Sequence, residues 1–128
     1  MSDQTGKYQG GSPTTKFLPL SASTNGRYIQ ITATASSGTL VHTAVSGTSR
    51  WDKVWLYGPN TSAATATVTV QFGGTTSADS VVTQIPANSQ ANLIYGIPLQ
   101  NGLAVRVYTS TTPNIVNVGG YVEQVLAP

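Results

Sequence analysis

From residue 17 onward the chain is built of short runs of Val, Ile, Thr and Tyr, each broken by Gly, Pro, Asn or Ser. That pattern predicts strands joined by turns. Alternation is cleanest over 63–72, where Ala64, Ala66, Val68, Val70 and Phe72 share one face and Thr65, Thr67, Thr69 and Gln71 the other. A half-buried strand requires this period of two. Over 27–35, Ile29, Ile31 and Ala33 point one way and Gln30, Thr32 and Thr34 the other. Further strands are predicted over 40–45, 52–57, 80–85, 90–95, 103–108 and 115–125, with a weaker one at 17–20. Between them stand Gly58-Pro59-Asn60, Gly73-Gly74, Pro86-Ala87-Asn88, Asn101-Gly102 and Pro113-Asn114, which supply the positive or fixed φ of chain reversals. No stretch carries a sustained helical period. Eight to nine strands in this spacing predict an all-β fold, an antiparallel β-sandwich of jelly-roll type.

Residues 1–16 differ: they hold one aromatic residue, Tyr8, and no aliphatic run after Met1. Such a segment cannot bury enough apolar surface to offset its ordering entropy. The expected organisation is therefore a flexible N-terminal arm over 1–16 and a β-sandwich domain over 17–128. The arm reads either as a frayed end or as a segment that orders against a partner.

Composition narrows the function. Of 128 residues 39% are hydrophobic, and only 8% are charged, with six Lys/Arg against four Asp/Glu. An average soluble domain carries about 25% charged residues. Lys7, Lys16, Arg27, Arg50, Lys53 and Arg106 are scattered rather than clustered, so no nucleic-acid partner is expected. No apolar run approaches the ~18 residues of a membrane span, and Met1 to Ser12 lacks the apolar core of a signal peptide. With no cysteine, disulfides and thiolate metal sites are excluded. Asn60-Thr61-Ser62 matches the glycosylation pattern and reads first as an ordinary turn.

Catalytic chemistry has few candidates. The acids are Asp3, Asp52, Asp79 and Glu123, no two of them within ten residues of each other. The single histidine, His42, lies mid-strand with no nucleophile-elbow motif near any serine. A strand-face role is expected for it over a Ser/His/Asp triad. Only Asp52 and Asp79 could help it hold a metal. Gly73-Gly74 and Gly119-Gly120 precede no helix, so they are not phosphate loops. The chain is not expected to be an enzyme, and no cofactor or metal is expected.

Aromatic residues point elsewhere. Trp51, Lys53, Trp55 and Tyr57 alternate and leave one face of a single strand, with Val54 and Leu56 on the other. Three readings stand open: a core face, an interface patch rich in hot-spot residues, or a sugar-stacking platform. Lys53 between two tryptophans argues against a dry core. Charge spacing is a second clue. Twenty-five uncharged residues separate Lys53 from Asp79, and 26 separate Asp79 from Arg106. Monomers usually guard sheet edges with charge, proline or bulges. Uncharged strands therefore favour a protein whose edges are covered by other subunits.

The runs VWLYGPNTSAATATVTVQFGGTT, QIPANSQANLIYGIPLQNGLAVRVY and NIVNVGGYVEQV complete the picture. Over about 51–125 this series of turns and strands resembles small virion proteins of tailed bacteriophages. The resemblance implies an accessory structural protein, foremost a head decoration (cement) protein. Such a protein would be trimeric at capsid three-fold positions, bound to the major capsid protein on the virion surface and made in the host cytoplasm. It also implies that the arm reaches neighbouring capsomers. Interface candidates are Tyr8, Lys16, Trp51, Lys53, Trp55 and Tyr57. The alternative is a carbohydrate- or receptor-binding module of a phage fibre, knob or tail, with a glycan partner.

Overall fold

The computed structural model describes residues 14–110 and 112–126. Nine strands form: β1 (Thr14–Pro19), β2 (Ile29–Gln30), β3 (Thr39–Thr43), β4 (Arg50–Pro59), β5 (Ala66–Phe72), β6 (Ser80–Ile85), β7 (Gln90–Leu99), β8 (Ala104–Thr109) and β9 (Asn117–Leu126). A single 3-10 turn, Ser77–Asp79, precedes β6. All pairings are antiparallel. One sheet runs β1-β9-β4-β7, with β2 also on β9, and the other runs β3-β8-β5-β6. Setting β1 aside, β2 to β9 divide into β2-β9-β4-β7 and β3-β8-β5-β6, the order of a jelly roll, in which every connection but β5–β6 crosses between the sheets. The expected all-β sandwich is the observed fold.

The core lies between the sheets. β4 presents Val54 and Leu56 to it, β5 presents Val68 and Val70, β8 Val105 and Val107, and β9 Val118 and Val122, all fully buried. Small β-branched side chains suit this interior, because they are stiff at χ1 and pack on a pleated surface. Asn88, Asn101 and Asn114 adopt positive φ, as do Gly73 and Gly102, so four of the five expected turns have the expected chemistry. Asn101-Gly102, with positive φ at both residues, turns the chain from one sheet to the other.

Several boundaries differ from expectation, among them one turn and the edge of the arm. Gly58-Pro59 does not turn: β4 runs through Pro59, and Gly58 is buried where a Cβ would come within 3.1 Å of Leu93. The glycine is there for close approach, and the reversal follows Asn60. Thr14, Thr15 and Lys16, expected in the arm, pair with Leu126, Val125 and Gln124. The rest of the arm, Tyr8 included, lies outside the described residues.

Three buried polar side chains tie separate segments together. Asn60 donates from Nδ2 to the carbonyls of Ala64 (2.7 Å), Ile85 (3.0 Å) and Pro86 (3.3 Å), and its Oδ1 accepts from the Ser62 amide and hydroxyl. Gln71 accepts from the Gly38 amide and donates to Ser36 Oγ. Asp52 of β4 reaches across to His42 of β3, tying one sheet to the other.

Candidate functional site: an outward aromatic face

Alternation in β4 decides the first question. Asp52, Val54, Leu56 and Gly58 are buried, whereas Trp51, Lys53, Trp55 and Tyr57 are partly exposed on the outer face. The core-face reading of these four residues is therefore corrected. The aliphatic residues fill the interior more compactly, and the ammonium of Lys53 stays hydrated.

Register then assembles a patch from four neighbouring elements. Trp55 stands opposite Tyr121 of β9 and Tyr95 of β7, and Lys53 stands opposite Glu123. The Trp55 and Tyr121 rings stack with centroids 4.9 Å apart and planes 13° apart. Phe17, opposite Glu123 on β1, extends the row, its ring 5.8 Å from Tyr121. Tyr28 packs near Tyr57 at 6.3 Å and lies over Gly119, where a Cβ would come within 2.7 Å of the ring. Tyr95 is 75% exposed, Phe17 67% and Tyr28 52%. Lys53 Nζ sits 3.9 Å from Glu123 Oε1, so the patch contains a compensated charge pair.

Gly96 sets the β7 side of this arrangement. It has a φ of +67° and lies in a bulge of β7 against β4. A Cβ there would come within 3.1 Å of the Trp55 ring. Trp55 is thus flanked by Tyr121 on one neighbouring strand and by the Gly96 backbone on the other.

The remaining sequence candidates separate. Trp51 lines a shallow groove with Thr48, Pro98, Leu99, Gln100 and Leu103, at one end of the sheet. Lys16 is exposed on β1, one residue out of phase with Phe17 and so on the opposite side of the strand. Phe17, Tyr28, Tyr95 and Tyr121 were not anticipated as members. Each is a single large residue on its own element, and only cross-strand register brings them to one face.

His42 is buried, and both of its ring nitrogens are occupied. The Ser21 amide donates to Nδ1 at 3.0 Å, which leaves Nε2 to donate to Asp52 Oδ2 at 2.8 Å. Asp52 also accepts from the Val45 amide and Gln124 Nε2. A general base needs a lone pair facing its substrate, and here that lone pair faces a backbone amide. Ser21 Oγ accepts from the Thr43 amide at 2.7 Å. Asp79 accepts from the Thr76 amide and hydroxyl at the 3-10 turn. Every acid among the described residues therefore has a partner of its own. No group of three His, Asp or Glu gathers among them.

Asn60 resolves the glycosylation pattern. It is 2% exposed, and its amide nitrogen, the atom a glycan would need, is turned toward three carbonyls. The folded chain uses Asn60 as a tie. No family model, curated protein or solved structure matches this chain significantly.

Proposed function

We propose that this chain is a structural virion protein that decorates and stabilises a tailed-phage capsid, self-associating and binding the major capsid protein on the capsid surface. The observation that carries this reading is the aromatic outer face of the five-stranded sheet. Phe17, Tyr28, Tyr95 and Tyr121 are all exposed on or beside one sheet surface. Scattered exposed apolar residues need no explanation, but a contiguous aromatic patch marks an interaction surface. The jelly-roll order and the resemblance over 51–125 support the same reading.

The carbohydrate-binding alternative needs an aromatic ring with a free face. Trp55, one of its sequence candidates, has Tyr121 stacked on it and Gly96 close by. A flat protein surface is the better match to a row of rings already packed on one another. The test is co-sedimentation with empty expanded capsids assembled from the major capsid protein of the same virus. Wild-type protein is expected to bind and to raise the capsid melting temperature. Tyr95→Ser with Phe17→Ser is expected to weaken binding at least tenfold, while the fold is retained. No binding at tens of micromolar would overturn the proposal, and a glycan-array signal lost in the same variant would establish the alternative.

A further inference from the structure

The two sheets have four edges, and three of them are guarded. β1 carries Lys16 and Pro19. β7 carries Pro98 and is interrupted by two register shifts against β4. β3 has its own register shift, and its Val41 carbonyl accepts from the Ala22 amide. β6 has none of these protections. Its six residues, SVVTQI, pair with β5 without a register shift and contain no charge and no proline. Val82 on the outer face is 62% exposed, and Val81, directed toward the interior, is still 40% exposed. Among the described residues β6 pairs only with β5, so alternate amide and carbonyl groups face away from it.

We infer that β6 is a self-association edge, pairing antiparallel with β6 of a second copy across a two-fold axis. The two four-stranded sheets would then join into one continuous sheet. A second copy suits this edge because the strand complements itself. With the axis at Val82, Ser80 lies opposite Gln84 of the second copy and Val81 opposite Thr83, giving β-branched and small polar pairs with no like charges. The nearest acid, Asp79, falls opposite Ile85 and is already held by Thr76. The residues in β6 favour strand pairing on intrinsic grounds. A strand pair of this length buries less than the ~1,200 Å² of standard interfaces, so the dimer is expected to be concentration-dependent. The contact is isologous, unlike the three-fold trimer that the phage resemblance implies, in which one patch meets a different one. It also concerns the isolated chain, so it stands or falls independently of capsid binding.

Sedimentation equilibrium of the full chain from micromolar to near-millimolar concentration tests the inference. A monomer–dimer equilibrium is expected. Val82→Lys should raise the dissociation constant at least tenfold, whereas Val82→Thr should leave it within about threefold. Hydrogen exchange supplies a second measurement: amides of β6 should gain protection with rising concentration, and those of β1 should not. A monomer throughout the range, or a trimer unaffected by Val82→Lys, would overturn it.

Discussion

A buried carboxylate needs partners for its oxygens, and Asp52 shows how they are arranged. It accepts from His42, the Val45 amide and Gln124, which come from β3, the following loop and β9. A buried carboxylate without such donors would be strongly destabilising. His42→Ala removes one donor and leaves the Ser21 amide without its acceptor, so a loss of about 3 kcal/mol is expected. The two residues act as a unit. Denaturant unfolding of His42→Leu, Asp52→Leu and the double variant should reveal a coupling energy of about 1–3 kcal/mol. Additive effects within ~0.5 kcal/mol would mean that the pair ties nothing together. Sequence reading placed His42 on a strand face but could not find Asp52 opposite it. Ten positions separate the two along the chain, and the contact depends on how the sheets stack.

At the scale of the element, alternation carried most of the information. β6 forms over the predicted residues 80–85, and in β5 Ala66, Val68 and Val70 are buried as the period of two requires. Thr69 and Gln71, expected outside, are buried as well. Gln71 serves the loop at Ser36 and Gly38, far away along the chain, an interaction that no local pattern announces. The strand expected over 27–35 keeps its alternation of burial, yet its ladder shrinks to Ile29–Gln30. There the chain bonds to several partners: Ile31 donates to Val116, and the Ala33 carbonyl accepts from Thr109. Pro98 marks a difference in the other direction. The strand expected over 90–95 continues through it to Leu99, since proline is compatible with an edge strand. Glycine in β9 shows how tightly the central strands approach. A Cβ at Gly120 would overlap the Trp55 carbonyl, whereas at Gly26 it would meet nothing within 4 Å. Both glycines have positive φ. Gly26→Ala should therefore cost only about 1 kcal/mol of backbone strain. Gly120→Ala should cost more than ~4 kcal/mol or prevent folding, because the central pair β4–β9 must separate. Thermal unfolding of the two variants checks the contrast.

Taken whole, the molecule resolves the scarcity of charge into separate causes. Asp52 is used in the interior, Asp79 at a turn and Glu123 against Lys53, so the strands between them are left with threonine, valine and aromatic rings. Fold class was legible because strands and turns are local signals. The aromatic face was legible only in its β4 part, since Trp51, Lys53, Trp55 and Tyr57 share one strand. Its other members depend on the order β1-β9-β4-β7, which is a property of topology. That order has a practical consequence. Thr14 and Leu126 are register partners, so the segments before β1 and after β9 leave from a single corner. A passenger protein joined directly ahead of Thr14 or directly behind Leu126 therefore starts from nearly the same point in space. Equal tolerance of the two fusions in capsid co-sedimentation would place that corner on the solvent side of the particle. Equal loss would place it against the shell, making the pair of fusions a compass for how the subunit is mounted.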